Sequence, residues 1–593
     1  MRAREAGRFR RAAAVALATA IAGALAPAGA LAQDSPLGPL NDLLALGQGD
    51  GQTPLRLPVV KRDDVPLVAT PRAKCAPGSK VEPGIQGRVP AGSATDGLTC
   101  NTSLVAHQGS SGGFKVLRYV DTAGRECAYY DTALLAPINA LKLSGDSLGV
   151  AVLDMSDPAH PVQTDTLTEP PMVSPHESLN LNAKRGLIAA VLGNPATYPG
   201  LVSIYDAHAD CRHPVLQSTA LVARFGHESG FSADGNTFYA TGTALQAITA
   251  IDVTDPKAPR AIWQGNVLSH GMSLSDDGNR GYVADATGGD MLIMDTSEIQ
   301  ARKPDPQVRE ISRLTWNAAS IPQNAIPFTE DGKPYVLEFD EYTGGTTGAG
   351  DRDAVGAGRI IDISDETKPR VIANLRLQVN QAADHKAAAG DPGAISPVQG
   401  YAAHYCNIPT RVDPKVVACS FIASGLRVFD ISDLTAPKEV AYFVAPTKGR
   451  AENGFIASDF AMSQPAIVPE RREIWYSDGT SGFYVVRVAE AAWPKAAAAP
   501  TAGAGTGAGA RSCSGRRAFT ATVRVPKGAK VRSATATLGG KKLKVKRGAR
   551  KVTTSVDLRK MTKSVVKLVI RVKLRGGRTI TSTRTYHPCT KRR

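Results

Sequence analysis

Residues 425–437 read Gly-Leu-Arg-Val-Phe-Asp-Ile-Ser-Asp-Leu-Thr-Ala-Pro, an apolar strand that ends in aspartate and enters a Ser-Asp-x-x-x-Pro turn. Residues 149–161 (GVAVLDMSDPAHP) repeat the pattern closely. Seven copies occur between residues 149 and 490, and they end at Asp154, Asp206, Asp252, Asp295, Asp362, Asp430 and, without the aspartate, Val486. A pattern that returns at such intervals indicates a repeat architecture built from one supersecondary unit.

The residues between successive copies predict four short antiparallel strands per repeat. The strings Asp-Gly-Asn at 234–236 and Asp-Asp-Gly-Asn at 276–279 are typical of hairpin turns, because these residues tolerate positive φ. Four strands in about 40–50 residues is the spacing of one β-propeller blade. Seven units predict an all-β, seven-bladed propeller. The chain runs out soon after Val486, so we expect a strand near residues 103–107 to complete the last blade and close the ring.

The strand and its turn resemble the LVIVD repeat, whose consensus is roughly G-L-x-V-x-D-x-S-D-P-x-x-P. The resemblance covers most of residues 101–490, and it implies an exported or surface-exposed propeller without specifying an activity. In this pattern the strand-end aspartate accepts hydrogen bonds from the turn that follows, and proline ends strand pairing. We therefore expect these aspartates to be structural rather than catalytic.

The N-terminus has the features of a secretory signal peptide. Five arginines precede an alanine-rich apolar stretch, and Ala30-Leu31-Ala32 is a small-x-small cleavage site, so residues 1–32 are predicted to be removed. No other segment is long enough to span a membrane. We expect a secreted or cell-surface protein, with no transmembrane segment and a monomeric state. Residues 33–100, rich in Pro and Gly, are predicted to be an extended or disordered leader before a propeller at 101–490.

Export makes the eight cysteines candidates for disulfides. Cys406 and Cys419 flank one predicted hairpin. Cys75 and Cys100 are placed to pin the leader, but the sequence leaves the pairing among Cys75, Cys100, Cys127 and Cys211 open. Cys513 and Cys589 bracket the C-terminal segment. No CxxC pair occurs, so neither a zinc ribbon nor a thioredoxin-type centre is indicated.

The C-terminal segment differs sharply in charge from the rest of the chain. Residues 511–593 contain 26 Lys or Arg and one acidic residue, a net charge of +25, whereas the remainder holds 44 basic and 53 acidic residues, a net charge of −9. An Ala/Gly-rich linker is predicted at 491–510. Period-two runs beginning at Phe519 and Ser564 predict a small Ig-like β-sandwich beyond it, with Cys513–Cys589 joining its ends.

A basic stretch within this domain is a candidate polyanion-binding surface. An anionic cell-envelope polymer, a surface protein or a lipid headgroup is the partner that fits. Nucleic acid fits less well, because Phe519 and Tyr586 are the only aromatic residues available for base stacking. The alternative is a soluble, self-repelling module without a specific ligand. The residues concerned are Lys541, Lys542, Lys544, Lys546, Arg547, Arg550 and Lys551.

Aligning the repeats on their turns brings histidines into register at the start of the innermost strands. His227 and His270 share this position directly, His176 joins them after a two-residue shift, and His404 follows, with Asn324 and Gln464 in the remaining repeats. Equivalent positions of successive blades meet at one mouth of the central channel. Glu177 and Glu228 directly follow two of the histidines.

Imidazoles at one mouth of a channel suit a transition metal such as copper, zinc or iron. The string at 175–177, Pro-His-Glu, is similar to a motif of selenium-binding protein/methanethiol oxidase propellers, which are linked to copper, although that family's cysteine-rich motifs are absent here. The alternative is that each histidine only hydrogen-bonds neighbouring backbone or water. The acidic stretch from Asp340 to Asp353 does not match an EF-hand loop, and we expect it to be solvated.

Two functions follow from these observations. The first is an exported propeller that acts as a binding or scaffolding module at the cell envelope, tethered by its basic C-terminal domain. The second is a metal-dependent propeller enzyme, an oxidase or hydrolase, with His176, His227, His270 and His404 at the channel mouth. The chain contains no G-x-S-x-G elbow, P-loop or HExxH motif, so standard hydrolase and nucleotide chemistry lacks support.

Overall fold

The computed structural model describes most of the chain beyond the leader. The described residues are 51–54, 61–63, 65–132, 148–193, 200–242, 247–267, 269–285, 289–316, 321–341, 355–395, 400–447, 459–494, 518–525, 529–548, 551–558, 566–575 and 579–586. The predicted signal peptide, most of the linker, Arg550 and both Cys513 and Cys589 lie outside them. The chain divides into two compact units, Met1–Ala498 and Ala499–Arg593.

The first unit begins with three short strands, β1 (Lys61–Arg62), β2 (Leu98–Cys100) and β3 (Thr102–Gln108). Sheets of antiparallel strands follow in chain order. The first contains β4 (Val116–Val120), β5 (Glu126–Asp131), β6 (Val150–Asp154) and β7 (Val162–Leu167). The second contains β8 (Asn180–Asn182), β9 (Leu187–Val191), β10 (Gly200–Asp206) and β11 (Val215–Ala223). The third contains β12 (Ser229–Phe231), β13 (Thr237–Gly242), β14 (Ala247–Asp252) and β15 (Arg260–Gly265).

The same order of strands continues through the rest of the unit. The fourth sheet contains β16 (Met272–Leu274), β17 (Arg280–Asp285), β18 (Asp290–Asp295) and β19 (Arg309–Thr315). The fifth contains β20 (Ile321–Glu330), β21 (Lys333–Glu341), β22 (Gly358–Asp362) and β23 (Arg370–Leu375). The sixth contains β24 (Tyr405–Asn407), β25 (Val416–Ser420), β26 (Leu426–Asp430) and β27 (Lys438–Val444). The seventh contains β28 (Ala466–Val468), β29 (Glu473–Asp478) and β30 (Gly482–Val488).

The helices of the described residues are short and lie between the strands. They are α1 (Pro170–Val173), α2 (Ser297–Gln300), a 3-10 turn (Gln378–Asn380), α3 (Ala382–Ala387) and α4 (Pro392–Ile395). None of the described helices is long and apolar enough to cross a membrane.

The seventh sheet takes its fourth strand from the start of the unit. β3 pairs antiparallel with β30, with Ser103 opposite Arg487 and His107 opposite Tyr484. This confirms the expectation that a strand near residues 103–107 supplies the missing strand. Innermost strands of neighbouring sheets contact each other, β8 with β12, β12 with β16, β16 with β20 and β20 with β24, and β4 contacts β28 and β29. Sequential four-stranded meanders packed side by side in this way are the architecture of a β-propeller.

The strand-end aspartates have the structural role that the repeat predicts. Asp430 Oδ1 accepts a hydrogen bond from the backbone N–H of Ser432 at 2.9 Å, and Asp433 Oδ1 accepts one from Thr435 N at 3.0 Å. Comparable bonds to the residue two positions on are made by Asp154, Asp206, Asp252, Asp295 and Asp362. These carboxylates therefore fix the turn after the third strand in six of the seven repeats.

The described residues of the leader form a strap along the outer edges of the sheets. Gln52 bridges to Gly265, β1 pairs parallel with β19, and β2 pairs antiparallel with β27. Between β1 and β2 the described chain is irregular and contains several turns, and its Glu82 is buried against Arg427. The disordered alternative for residues 33–100 therefore does not hold for residues 65–100.

Three disulfides are present among the described residues. Cys406–Cys419 joins β24 to β25, the two strands of the predicted hairpin, and Cys75–Cys100 closes the strap, a pairing that the sequence left open. Cys127–Cys211, which the sequence left open, links the first sheet to the second. Such bonds persist in oxidising compartments, which agrees with an extracellular protein.

The second unit is a β-sandwich of two sheets. One contains β31 (Ala518–Arg524), β34 (Val545–Arg547) and β35 (Lys551–Asp557). The other contains β32 (Val531–Leu538), β33 (Lys541–Leu543), β36 (Val566–Leu574) and β37 (Thr579–Tyr586). Apolar side chains of both sheets form one core, including Val552, Leu538 and Ile570. The period-two runs at Phe519 and Ser564 correctly predicted β31 and β36.

Candidate metal centre

Four histidines from four different sheets converge inside the propeller. His176 precedes β8, His227 precedes β12, His270 precedes β16 and His404 precedes β24. The ring centroids of His176 and His227 are 4.6 Å apart, and those of His227 and His270 are 4.8 Å apart. The register of the repeats therefore brings together the residues that it singled out.

The histidines are buried rather than exposed at a channel mouth. Each is at most 8% exposed, and Glu177 and Glu228 are almost fully buried with them. The sequence placed this position at the mouth because the histidines precede the innermost strands. In the structure, neighbouring strands and side chains such as Phe114 cover the rings, with the Phe114 centroid 4.5 Å from that of His176.

Three imidazoles point their Nε2 atoms at one carboxylate, that of Glu177. The Nε2 atoms of His227 and His270 lie 3.0 and 3.3 Å from Glu177 Oε2, and His404 Nε2 lies 3.0 Å from Oε1. Metal–nitrogen bonds of about 2.0–2.1 Å place neighbouring ligand atoms about 2.9–3.4 Å apart. The separations around Glu177 fall in this range, which is also that of hydrogen bonds. Ligand atoms that lie within 4.8 Å of one another form two groups that share Glu177, namely His176, Glu177 and His227, and Glu177, Glu341 and His404.

The opposite ring nitrogens of two histidines are held by backbone carbonyls. His270 Nδ1 lies 2.8 Å from Pro322 O, and His404 Nδ1 lies 2.7 Å from Met462 O. A carbonyl can only accept, so Nδ1 carries the proton in both rings and donates it. When Nε2 loses its proton, its lone pair is directed at the centre, as in histidines whose second nitrogen is fixed by an outer hydrogen bond when the first binds a metal.

His176 belongs to the same cluster but differs from the other histidines in backbone conformation, hydrogen bonding and protonation. Its backbone has φ +50°, in the left-handed region that non-glycine residues rarely occupy. Its Nδ1 is buried with no hydrogen-bond partner among the described residues. Burial, together with the neighbouring His227, lowers the pKa of His176 to about 3, so the ring is neutral and one of its two nitrogens carries a lone pair.

A second carboxylate joins the centre from the end of β21. Glu341 Oε2 lies 3.2 Å from His404 Nε2, and Glu341 Oε1 lies 3.6 Å from His270 Nε2. Asp340, its neighbour, is fully buried and accepts a hydrogen bond from Arg359 Nη1 at 2.9 Å. The expectation that the acidic stretch beginning at Asp340 is solvated was therefore wrong for Asp340 and Glu341, while Asp351 and Asp353 lie outside the described residues.

Electrostatics at the centre follow from these contacts. Burial opposes the charged imidazolium forms, but hydrogen bonding to Glu177 and the charge of Glu341 outweigh it and raise the pKa of both His270 and His404 to about 9. Although burial opposes ionisation, the surrounding histidines hold the pKa of Glu177 well below its usual range. Without a cation, protons must therefore occupy the space between these Nε2 atoms and Glu177.

A polar layer lies beside the centre. Gln323 Nε2 donates to Glu177 Oε2 at 2.7 Å and to the Tyr405 hydroxyl at 2.8 Å. Glu228 does not face the imidazoles as Glu177 does; its Oε1 accepts hydrogen bonds from Lys115 Nζ at 2.9 Å and Asn324 Nδ2 at 2.6 Å. Sequence reasoning assigned Asn324 to the histidine register, whereas Gln323 reaches Glu177, because a bulge between Pro322 and Asn324 shifts β20.

The proposed polyanion-binding residues lie on the second unit. Six of the seven are exposed on or beside β33, β34 and β35, namely Lys541, Lys542, Lys544, Lys546, Arg547 and Lys551. Arg550 lies outside the described residues. A further group of acidic residues, Glu330, Asp331 and Asp413, is close enough together to hold a cation, but it is largely exposed.

Comparisons with known proteins bear on the fold only. No family model matches the chain, and no curated protein matches it. The periplasmic gluconolactonase PpgL of Pseudomonas aeruginosa shares 13% identity with a TM-score of 0.42, over 59% of this chain and 91% of that chain. The Cps50 (Swd1) β-propeller domain of Myceliophteria thermophila shares 11% identity with a TM-score of 0.41, over 65% and 99%. Likeness at this level says nothing of substrate or activity, and LVIVD membership stays a prediction.

Proposed function

We propose that this protein is an exported, metal-dependent propeller enzyme whose centre is formed by His176, His227, His270, His404 and Glu177. The seven sheets of the first unit are, in this proposal, seven LVIVD-type blades closed by β3. One observation carries the proposal: the Nε2 atoms of three buried imidazoles lie 3.0–3.3 Å from the oxygens of Glu177.

The energetic cost of the cluster supports a functional role. Moving charged groups from water into a protein interior costs several kcal/mol per ion, and replacing buried ion pairs by apolar residues is often neutral or stabilising. Glu177, Glu341 and Lys115 are at most 6% exposed. A propeller can fill its axis with apolar side chains, so a ring of imidazoles and carboxylates is better explained by a ligand that the ring binds.

The donor set defines the class of metal. Imidazole nitrogens suit zinc, copper, iron and nickel, whereas calcium and magnesium prefer sites built from oxygen. A bound ion of this kind supplies Lewis-acid chemistry, and copper or iron supplies electron transfer as well. The proposed reaction is therefore an oxidation or a hydrolysis. The protein's own contribution is to fix the orientation of the rings through Pro322 O and Met462 O.

Metal analysis of the purified mature protein tests this function. The protein is stripped with a chelator, reloaded separately with iron, copper and zinc, and assayed by mass spectrometry after removal of free metal. We expect about one ion per chain for the preferred metal and a loss of at least about tenfold in affinity for His270→Ala and His404→Ala. The matched control is His160→Ala, because His160 is exposed and bonds only Asp157.

Two results would contradict the proposal. One is that no metal reaches stoichiometric occupancy in a folded protein. The other is that His270→Ala and His404→Ala bind metal as tightly as His160→Ala does. Circular dichroism of each variant separates loss of metal from loss of fold.

We further propose that the second unit, an Ig-like sandwich, holds the protein at the cell envelope. The supporting observation is the row of exposed Lys and Arg side chains on β33 and β34, in a segment with one acidic residue against 26 basic ones. A surface of one sign attracts anionic polymers and lipid headgroups over about a Debye length. In this reading the binding role belongs to the second unit and the chemistry to the propeller.

A further inference from the structure

A second cavity lies in the propeller, and none of the four histidines lines it. Its volume is about 460 Å³, and its walls come from residues on or next to the innermost strands of the sheets. Pockets of about 300–1,000 Å³ hold small molecules. Lys115 and Asn324 line it and both bond Glu228, the residue directly after His227. The cavity is therefore separated from the metal centre by this polar layer.

The inner wall of the cavity offers hydrogen-bond acceptors. Asn180 and Gln464 use their Nδ2 and Nε2 atoms to bond backbone carbonyls of Ser229 and Cys406. Their Oδ1 and Oε1 atoms have no hydrogen-bond partner among the described residues and are left for a ligand. The hydroxyl of Ser273 donates to Asn324 Oδ1 at 3.1 Å, so it too is left as an acceptor. Acceptors of this kind bind hydroxyl groups.

The rim of the cavity carries positive charge. Lys184 is exposed there and makes no ion pair with any described residue. Arg411 reaches across from the sixth sheet, where its Nη1 donates to Leu274 O at 2.6 Å and lies 3.5 Å from Asp276 Oδ1. The Asp276 side chain is 73% exposed, so it offsets the Arg411 charge weakly. Two guanidinium nitrogens of Arg411 remain for an anion, and guanidinium groups bind carboxylates in bidentate fashion.

We propose that this cavity binds a small hydroxylated anion, of the size and chemistry of a sugar acid. Its carboxylate lies at the rim against Arg411 and Lys184, and its hydroxyls donate to Asn180 Oδ1 and Gln464 Oε1. Apolar side chains such as Phe231 and Leu274 complete the wall and contact the carbon skeleton. The site is independent of the proposed metal function, because no proposed metal ligand lines it.

Calorimetric titration of the mature protein with D-glucuronate tests the proposal. D-glucose, which lacks the carboxylate, and acetate, which lacks the hydroxyl groups, are the comparison ligands. We expect saturable binding of glucuronate and at least about tenfold weaker binding of glucose and of acetate, since glucose lacks the carboxylate that makes charge-assisted hydrogen bonds and acetate lacks the hydroxyl groups. Lys184→Gln and Arg411→Gln should each weaken glucuronate binding by about tenfold, whereas Arg309→Gln, on an exposed outer strand, should not.

The proposal fails if glucuronate shows no saturable binding at millimolar concentration, or if both rim variants bind it as the parent does. Equal affinity for glucose and glucuronate would overturn the anionic part of the assignment. Lys184→Gln keeps the test valid if Arg411→Gln disturbs the turn, because the exposed Lys184 side chain makes no hydrogen bond or ion pair with the described residues. Metal loading should leave the affinity unchanged, which separates this outcome from the failure of the metal proposal.

Discussion

At the scale of single residues, His176 combines two energetically unfavourable features. A left-handed backbone conformation costs a non-glycine residue of order 1–3 kcal/mol, and a buried nitrogen without a partner adds to that cost. Both occur at this one position. A bond from this nitrogen to a cation removes the second cost, which is why we place His176 among the ligands.

The sequence predicted part of this centre, and the reason for its limit is geometric. His227, His270 and His404 could be found because the repeat keeps one register relative to its turns. Glu341 could not be found in this way, because it lies at the end of the second strand of its repeat. The alignment compared only the positions that precede the first strand. Gln323 was missed because a bulge between Pro322 and Asn324 in β20 moves the contact by one residue. Pro322 was the available signal, since proline within a sheet occurs mainly on edge strands and at bulges.

The strand-end aspartates give a prediction about pH. Asp362 accepts hydrogen bonds from Ser364 N and Arg370 Nη2, and although burial opposes ionisation these bonds lower its pKa. Asp362→Ala should therefore reduce the free energy of unfolding by about 1–2 kcal/mol at pH 7. Because the pKa is lower in the folded state, this contribution is present above the unfolded pKa of about 3.9 and is lost as the pH falls through the folded value.

Urea unfolding at pH 7 and pH 3 measures this effect. The difference in the free energy of unfolding between the parent and Asp362→Ala should be smaller at pH 3 than at pH 7. Glu490→Ala is the control, since Glu490 is exposed and its side chain makes no hydrogen bond or ion pair with the described residues. A difference of equal size at both pH values would show that the carboxylate charge is not what stabilises the turn.

At the scale of elements, the repeat predicted the strands of the sheets, but no sequence pattern predicted how the leader packs. Each Asp-ended strand is the third strand of a sheet. An apolar strand followed by a turn rich in Asp and Pro is compatible with few other structures. Residues 65–100 lack such periodicity, yet they pack, because individual side chains find partners far away in sequence. Arg427, on β26, is fully buried between Glu82 at 2.8 Å and Glu439 at 3.0 Å, and its guanidinium lies 4.4 Å from the Tyr442 ring centroid. Contacts separated by 345 residues leave no local signal.

This contact predicts that the strap contributes strongly to stability. Glu82→Gln leaves the buried Arg427 with one carboxylate instead of two, and breaking a buried ion pair typically costs about 3–5 kcal/mol. The midpoint of thermal unfolding should fall accordingly. Asp96→Asn is the control on the same segment, because the Asp96 side chain is exposed and makes no hydrogen bond to the described residues. If the two variants had the same midpoint of thermal unfolding, the contact between the strap and Arg427 would not contribute to the stability of the propeller.

At the scale of the whole molecule, charge divides the chain into two unlike parts. The body is mildly acidic and the segment from residue 511 onward is strongly basic, a division that the amino-acid composition alone reveals. The sandwich strands were also predictable from their period-two pattern. Charge and composition predict a class of partner but not its identity, because long-range attraction does not depend on the detailed arrangement of groups.

Retention on isolated cell envelopes tests the proposed tether. The chain ending at residue 498 should lose retention, and a glutamine variant of the exposed row should lose most of it, while salt should release the parent because the attraction is screened. The row consists of Lys541, Lys542, Lys544, Lys546 and Arg547. A variant with the exposed propeller residues Lys257, Lys333, Lys368 and Lys438 changed to glutamine serves as control. Retention that survives truncation would assign attachment to the propeller instead.

The central claim is that the buried imidazoles surround one metal ion. X-ray absorption at the metal edge, recorded on the reloaded mature protein, measures this directly. We predict a first shell dominated by nitrogen at about 2.0–2.1 Å, with the outer-shell scattering of several imidazole rings, and loss of that scattering in His270→Ala and His404→Ala. A first shell of oxygen alone, or a spectrum unchanged in both variants, would contradict the account.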